Sequence, residues 1–475
     1  MNSQKNSCIT PPLFLHRIIA MDNGTVPKGY RLLGRLLDGS LSPVKEDAAV
    51  VVEGERIVWV GEEAGVPERY HGPDFEVVGG QGKTIMPGLI DAHIHISFGE
   101  ARSEEELALY TPVEFRALRA VWNARKVLQA GVTSAFDAAT TYNVAQSVRD
   151  AIDSGMFEGP RLAVSGRQLT SHQGLEDSFP SSMEFPPGQA GVLVKSRDEI
   201  IEQIRLQVKD GVDAIKVSGS NDSLVTSEAV SGSALTYDEY HLIAEEAHRL
   251  GRLCTVHART REAVVDAARA GFDVIFHASY IDDEGIDWCL KNQCIIVPTL
   301  PLLVNVIEAT GGPSGTPMNA IFQAEVDAAA QNLSKAYRAG VTLVQGSESG
   351  WSPVPYGHWH AREMEIFVDL LGLSPLEAIH AGTLAATPLF QRFGGLIGKV
   401  EVGRYADILV VDGKPDHDIS LLQKPNRMGF IFKSGRPVDR AETIPRRQMG
   451  YERHKMFLNG IYRFDSESGR GRLVR

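Results

Sequence analysis

Eight short apolar runs that alternate with longer segments of helical periodicity constrain the fold of this chain more than any other feature. The runs are residues 84–95, 132–137, 162–165, 212–218, 253–257, 272–277, 294–299 and 341–347. Helical patterns fill most of the gaps between them, which is typical of βαβ units around a parallel sheet. The sequence therefore predicts the α/β class and a closed (β/α)8 TIM-type barrel. The alternative is an open doubly wound sheet, but the chain lacks the glycine-rich dinucleotide turn that would support it.

Strand-like segments flank this predicted barrel on both sides. They are residues 48–53, 56–60 and 75–78 before it, and 406–412 and 429–434 after it. Turn residues separate them, so we expect a small β-sandwich domain built from both chain ends. The expected boundaries are 1–86 for its N-terminal part, 87–395 for the barrel, and 396–475 for its C-terminal part with a terminal extension. We interpret the Arg-rich tail after Arg440 as a surface or subunit-contact extension.

Charge and cysteine content limit the functional class. The chain has 48 Lys and Arg against 60 Asp and Glu, so it lacks the basic excess of a nucleic-acid-binding protein. It contains neither an apolar run of about 18 residues nor a signal-peptide pattern, which argues against a membrane span or secretion. Its cysteines, Cys8, Cys254, Cys289 and Cys294, form no disulfide or zinc spacing pattern. We expect a cytoplasmic protein that acts on a small molecule, without nucleic-acid or membrane partners.

A pair of histidines closes the first predicted barrel strand. His93 and His95 are two positions apart, so both imidazoles project to the same face of the strand. The carboxyl end of a barrel strand opens onto the face where active sites form, and two imidazoles there suit one divalent ion. The alternative is a pair of half-buried histidines that hydrogen-bond within a turn.

Four more chemically active side chains stand at the ends of other barrel strands. Lys216 ends the fourth strand, His257 the fifth and His277 the sixth, and Glu348 follows the eighth. Singly, each has an ordinary explanation as a snorkelling lysine, a core histidine or a loop carboxylate. Together with the histidine pair they converge on one mouth, which predicts a metal centre for zinc, or for cobalt, manganese or iron. A buried lysine with a lowered pKa can also form a carbamate that bridges two cations.

Residues 87–95, Pro-Gly-Leu-Ile-Asp-Ala-His-Ile-His, with Lys216, His257, His277 and a strand-eight acid, resemble the metal-dependent amidohydrolase superfamily. In detail the chain is similar to the branch that contains imidazolonepropionase-like hydrolases, proline dipeptidases, ochratoxinase, and the molinate and phenylurea hydrolases. The resemblance covers nearly the whole chain. It implies that His93 and His95 hold the more buried of two ions, that carboxylated Lys216 bridges them, and that His257 and His277 hold the outer ion. It also implies a homo-oligomer.

Two positions depart from the pattern of that superfamily. Glu348 stands where an Asp is usual, so it can act as the proton shuttle, bind a metal directly, or leave one metal site empty. Arg259 stands where a second His commonly follows the fifth strand. It can bind an anionic substrate group through two hydrogen bonds, or pair with a neighbouring acid.

Three more residues are candidates for contact with the substrate. Trp351 and Tyr356 follow Glu348 at the mouth, where aromatic side chains shape a pocket for an apolar or aromatic substrate or pack onto the barrel rim. His172 matches a loop that often carries a substrate-facing His in this branch, and it is the expected helper in polarising a carbonyl. The alternative for His172 is an ordinary loop histidine.

These observations predict a metal-dependent hydrolase of a carbonyl–nitrogen bond in an amide, urea or carbamate. The substrate is expected to be small and largely apolar or aromatic, such as a phenylurea or thiocarbamate herbicide, with Glu348 donating a proton to the departing nitrogen. One alternative is an N-acyl amino acid or Xaa-Pro dipeptide hydrolase in which Arg259 anchors the carboxylate. Ring deamination and ester hydrolysis use related centres. A catalytically silent structural barrel is the alternative from another class.

Overall fold

The computed structural model of the chain describes residues 27–226, 229–441, 461–466 and 468–474, so Cys8 lies outside the described residues. The β-strands are β1 (Gly29–Leu36), β2 (Lys45–Glu53), β3 (Arg56–Glu62), β4 (Phe75–Pro87), β5 (Leu89–Ile94), β6 (Val132–Asp137), β7 (Arg161–Val164), β8 (Gln168–Thr170), β9 (Gly191–Leu193), β10 (Ala214–Ser218), β11 (Leu253–Ala258), β12 (Val274–His277), β13 (Ile295–Val297), β14 (Thr342–Leu343), β15 (Ile408–Asp412), β16 (Met428–Lys433), β17 (Arg436–Pro437), β18 (Ile461–Asp465) and β19 (Arg470–Val474). The α-helices are α1 (Glu104–Ala108), α2 (Val113–Gln129), α3 (Val144–Asp153), α4 (Arg197–Lys209), α5 (Ser223–Thr226), α6 (Tyr237–Arg249), α7 (Arg261–Ala270), α8 (Asp283–Asn292), α9 (Pro301–Ala309), α10 (Pro317–Ala339), α11 (Arg362–Ile366) and α12 (Pro375–Ala381).

Strands from both ends of the chain build one sheet, in the order β17-β16-β15-β4-β1-β2-β3. The pair β1 and β4 is parallel, and the other neighbours are antiparallel. Hydrogen bonds connect all seven strands, so the two chain ends together build one continuous sheet. Register shifts in β1 and its neighbours bend the sheet, because bulges increase local twist and curvature. The bent sheet encloses a core of its own that includes Leu32, Val50 and Ile408.

The chain passes from this sheet to the parallel strands at Pro87 and Gly88. Pro87 pairs with Ile408 in β15, so residues 84–87 end β4 and do not begin the first parallel strand as we expected. A Cβ atom on Gly88 would lie 2.1 Å from Oγ1 of Thr133, which is too close for any side chain. The close approach of β5 to β6 therefore requires glycine at the crossing.

Ten short strands, β5 to β14, form two parallel sheets interspersed with helices, which confirms the predicted α/β class. The sheet orders are β5-β6-β7 and β14-β13-β12-β11-β10-β8-β9. A parallel bridge between Ser165 and Ala214 joins the two sheets at one edge. At the other edge a second bridge joins Ile94 to Ser349. The two sheets therefore contact each other at both edges, and their buried side chains form the main core.

Side-chain caps begin several of the helices. Ser374 caps α12 in a capping box, and the helix ends at Ala381. Gly382 ends it, and Pro388 lies in the 3-10 turn that follows. Helix α9 is apolar over most of its length, and most of it is buried. None of the helices in the described part of the chain has both the length and the hydropathy needed to cross a membrane.

The last described segment is a hairpin of β18 and β19 that packs back onto the molecule. Trp359 donates its indole N–H to the backbone oxygen of Tyr462 at 2.7 Å, and the two rings stack. The Tyr462 hydroxyl lies 3.2 Å from Glu308 of α9. Part of the tail that we interpreted as an extension therefore contacts the loop that follows Glu348.

Candidate metal centre and substrate pocket

The carboxyl ends of the parallel strands bring the six predicted ligand residues together. They are His93 and His95 at the end of β5, Lys216 in β10, His257 in β11, His277 in β12 and Glu348 after β14. All six are buried, and all but His277 line one pocket. The ring of His277 lies behind this lining, with its centroid 4.4 Å from that of His257 and 5.6 Å from that of His93.

His93, His95 and Glu348 form a compact group. The Nε2 atoms of the two histidines are 3.1 Å apart, and the Glu348 carboxylate lies 3.3 Å from His93 Nε2 and 3.1 Å from His95 Nε2. Within the described residues, this is the group of His, Cys, Asp and Glu side chains whose ligand atoms are close enough to hold one ion. Two imidazole nitrogens and a carboxylate oxygen are also a donor set that zinc prefers.

Hydrogen bonds on the far side of two rings orient the histidines for metal binding. His95 Nδ1 lies 3.1 Å from the Ala139 oxygen, so that nitrogen carries the proton and Nε2 faces the pocket with its lone pair. Thr299 donates its hydroxyl to the Pro298 oxygen and therefore accepts from His277 Nδ1 at 2.5 Å. This leaves His277 Nε2 unprotonated, buried and without a hydrogen-bond partner among the described residues. An outer partner of this kind is typical of metal-binding histidines, and the donor set fits a divalent ion.

Burial controls the charge of the remaining ligand candidates. It lowers the pKa of Lys216 to about 7, although Glu348 and Glu176 act in the opposite direction. The Lys216 Nζ atom lies 3.8 Å from the ring centroid of Phe276. Burial also lowers the pKa of His93 and His277 well below the usual value, which keeps both imidazoles neutral and available as ligands. A neutral lysine amine is the form that can react with carbon dioxide.

The backbone at the strand ends is held in uncommon conformations. His277, Thr299 and Glu348 have φ angles of 73°, 54° and 61°, in the left-handed region that side chains with a Cβ disfavour. Residues in this region cluster at functional sites, where the surroundings hold them in place. Here the Glu348 N–H donates to the His93 oxygen at 2.9 Å. Gly346 allows this contact, because a Cβ there would come 2.7 Å from the His93 Cβ.

Asp91 positions the ligand group, and sequence reasoning missed it. Its carboxylate accepts from the backbone N–H of His93 at 3.2 Å and of Ser347 at 2.9 Å, and it lies 2.7 Å from His360 Nδ1. It therefore joins the strand of His93 to the segment of Glu348. An acid two residues before His93 in an otherwise apolar strand is the signal that marks it.

The pocket beside the ligand group has apolar and acidic walls. Its apolar side chains are Phe98, Leu175, Leu224, Val225, Leu302 and Trp351, so Trp351 lies where the sequence predicts. Its acidic side chains, which sequence reasoning missed, are Glu104, Glu176 and Asp222. Burial raises the pKa of Glu104 to about 8 and that of Glu176 to about 7. Nothing in the local sequence around these acids indicates that they meet.

Three predicted substrate contacts lie outside the described lining of this pocket. Arg259 is 1% exposed, and its guanidinium pairs with Asp222 and Glu325, each at 2.7 Å. The geometry therefore agrees with pairing to a neighbouring acid and not with a carboxylate anchor. Tyr356 is fully buried, and its hydroxyl donates to the His95 oxygen at 2.5 Å, so it supports the ligand strand from behind.

His172 is the third of these residues. Its side chain is 67% exposed and lies 3.1 Å from Asp177, on the surface of the loop after β8. The structure thus places it as an ordinary loop histidine, because its loop turns outward and its ring pairs locally.

Comparisons with known proteins identify one family and several similar proteins. The model of the family described as "Amidohydrolase family" matches residues 84–438. The ochratoxinase of Aspergillus niger is 27% identical over 420 residues, which are 85% of each chain, and its crystal structure superposes with a TM-score of 0.76. The imidazolonepropionase of Streptomyces griseus is 31% identical over 83% of this chain and 93% of its own. A crystal structure of a Xaa-Pro dipeptidase with bound methionine is 25% identical, covers 86% of this chain and 99% of its own, and has a TM-score of 0.75.

Proposed function

This chain belongs to the amidohydrolase family and is a hydrolase, and from that premise we propose that it cleaves the carbon–nitrogen bond of an amide, urea or carbamate. The observation that carries the proposal is the compact group of His93, His95 and Glu348 at the base of a pocket with apolar walls. Apolar side chains such as Phe98 and Trp351 suit a substrate with a large apolar or aromatic part, which includes aryl amides, phenylureas and thiocarbamates.

The residues present fit the divalent ions that the family implies. His93, His95 and Glu348 would hold one ion, with zinc the first choice from the ligand types. Lys216 as a carbamate, His257 and His277 would hold a second. When bound, a divalent ion lowers the pKa of water and polarises a carbonyl group.

The chain's own residues supply the remaining steps. Glu348 lies next to both histidines, where its carboxylate can accept a proton from water and pass it to the departing nitrogen. Phe98 stacks on His95, with ring centroids 4.1 Å apart, and contacts Trp351 at 5.0 Å. These rings hold the apolar part of the substrate and exclude water from the ligand group.

We also propose that the two parallel sheets are one closed (β/α)8 barrel. The bridges at Ser165–Ala214 and Ile94–Ser349, and the N–H of Ala92 that donates to the Gln345 oxygen at 3.0 Å, support closure at both edges. The convergence of ligands from five different strands is also typical of such barrels. A crystal structure in which either edge is open to solvent would contradict this proposal.

Metal analysis combined with turnover tests the proposed function. The purified protein is expected to contain one or two divalent ions and to hydrolyse at least one member of a panel of aryl amides, phenylureas, thiocarbamates and Xaa-Pro dipeptides. Chelation should abolish this activity, and added zinc, cobalt or manganese should restore it. If protein with its full metal content hydrolyses no member of the panel, the proposal is contradicted and a structural role is favoured.

A further inference from the structure

Two buried carboxylates lie in the pocket apart from the metal-ligand group. Glu104 comes from the start of α1, and Glu176 comes from the loop between β8 and β9. Both line the same pocket as His93 and Lys216, yet they are only 8% and 6% exposed. A buried carboxylate is unfavourable unless a cation or several hydrogen-bond donors compensate it.

No lysine, arginine or histidine in the described residues forms an ion pair with either of these carboxylates. Glu104 accepts from Gln189 Nε2 at 3.3 Å, and Glu176 accepts from Gln168 Nε2 at 2.5 Å. Lys216, a pocket neighbour, instead has its Nζ atom over the Phe276 ring. The third acid of the pocket differs, because Asp222 is paired with Arg259 at 2.7 Å. Neither carboxyl group therefore has a cation in contact among the described residues, although the charges of Lys216 and Arg167 lower the pKa of Glu176 against the effect of its burial.

Gln168 provides an independent indication that a ligand belongs here. Its amide nitrogen is used by Glu176, which fixes the orientation of the amide. Its Oε1 atom is buried, and no donor reaches it among the described residues. The side chain is 3% exposed and lines the pocket. A buried acceptor of this kind requires a donor, and the part of the chain that the structure describes does not supply one.

The chemistry of these groups suits an organic ammonium ion, and they do not belong to the described metal-ligand group. The described group with metal-ligand spacing is His93, His95 and Glu348, and neither Glu104 nor Glu176 belongs to it. An ammonium group carries three donors and one positive charge. It can therefore serve two carboxylates and the amide oxygen, while Leu175 and Leu224 of the same pocket contact its carbon chain.

We propose that Glu104, Glu176 and Gln168 form an ammonium subsite, so that the preferred substrate carries a protonated amine on an apolar body in addition to the carbon–nitrogen bond that is cleaved. This inference rests on the proposed function, because it names the substrate class of the same pocket. Glu104 and Glu176 are then specificity-determining residues, and Gln168 orients Glu176 and accepts one ammonium N–H. Neutral ureas and thiocarbamates are poorer substrates for such a pocket.

Matched substrate pairs test the inference. The pairs are alanyl and isobutyryl p-nitroanilide, and 6-aminohexanoyl and heptanoyl p-nitroanilide, in which a methyl group replaces the ammonium at two distances from the carbonyl. In at least one pair the ammonium member should have a kcat/KM about 30-fold higher, mainly through a lower KM, as for a buried charge contact. Equal values for both members, with the neutral one hydrolysed, would overturn the inference but not the proposed function.

Substitution of the two carboxylates should remove this preference. Glu104→Gln and Glu176→Gln should each reduce the preference, and together they should abolish it. Glu105→Gln is the matched control, because Glu105 lies in the same helix but not in the pocket lining. Both pocket variants keep the side-chain shape, so the melting temperature should change little. A preference that survives in the double variant would overturn the inference.

Direct binding separates the inference from turnover. Hexylammonium chloride should bind to the purified protein more tightly than 1-hexanol in a calorimetric titration, and Glu176→Gln should remove the difference. If neither p-nitroanilide of a pair is hydrolysed but hexylammonium binds as expected, the proposed function fails and the subsite stands. If hexanol binds equally well, or if Glu176→Gln releases a metal ion, the subsite is wrong.

Discussion

The strand-end ligand group and the acidic wall of the same pocket are held in place by different means. Main-chain hydrogen bonds between neighbouring segments position the ligands, such as the His95 N–H that donates to the Ser349 oxygen at 2.7 Å. The wall comes from a short helix and from loops, and side-chain hydrogen bonds such as that of Gln168 to Glu176 hold it. We infer that the first region supplies the reaction and the second selects the substrate, since loops vary around a rigid scaffold.

The largest expected effect comes from the ligand group. His93→Ala should lower kcat by about 1000-fold or more and reduce the metal content, since the ion loses a ligand from a buried cluster. Turnover and elemental analysis check this. His172→Ala is the control, because that side chain is exposed outside the pocket lining and should change neither quantity. If His93→Ala keeps both its metal and its activity, the ligand group is not the region that supplies the reaction.

Substitution of Arg259 tests the buried ion pairs that this residue forms with Asp222 and Glu325 beside the pocket. Arg259→Met leaves Asp222 and Glu325 buried without their shared cation, which should cost about 3–5 kcal/mol of unfolding free energy. Denaturant unfolding measures this. Arg261→Met is the matched control, since its ion pairs are exposed and screened by solvent, so the free energy of unfolding should change far less.

The same Arg259→Met variant decides whether this residue also anchors substrate. An equal loss of kcat/KM on neutral amides and on carboxylate-bearing substrates is expected, because the structure places Arg259 behind Asp222. A loss confined to carboxylate-bearing substrates would instead support the anchor, and with it the alternative of a dipeptide or N-acyl amino acid hydrolase.

Tyr356 tests the support behind the ligand strand. Tyr356→Phe removes the donor to the His95 oxygen and the acceptor for the Gly99 N–H, so unfolding free energy should fall by about 1–3 kcal/mol. We also expect kcat to fall more than KM rises, because the His95 strand shifts. Tyr70→Phe, in the 3-10 turn between β3 and β4, is the control and should leave kcat unchanged. A change in KM alone would place Tyr356 at the substrate after all.

The smallest effect is expected from the C-terminal hairpin. Tyr462 belongs to the same apolar cluster as the pocket residues Phe98, Leu302 and Trp351. Tyr462→Ala should loosen this wall, raise KM by about threefold and speed proteolysis of the hairpin, with kcat preserved. Arg472→Ala, at an exposed position of the same hairpin, should have no effect. If Tyr462→Ala lowers kcat as much as Tyr356→Phe does, the proposed division between a region that supplies the reaction and a region that selects the substrate is wrong.

The sequence was sufficient to predict the α/β class and the convergence of the six ligand candidates. A period of two places His93 and His95 on one face, and parallel strands present their carboxyl ends at one edge. Once the end of each predicted strand was known, the sequence placed Lys216, His257 and His277 at the same edge. These are local properties of the chain, so the pattern of apolar residues reveals them.

Only the tertiary structure decided which side chains meet across long stretches of chain. Arg259 forms ion pairs with Asp222 and Glu325, which are 37 and 66 positions away in the sequence. Because of these pairs, its side chain lies outside the pocket lining. The pocket brings together Glu104 from a helix, Glu176 from a loop and Gln168 from a strand. No spacing pattern in the sequence predicts that these three side chains line one pocket. The direction of a strand end follows from backbone geometry, whereas the partner of a loop side chain depends on the packing of the whole molecule.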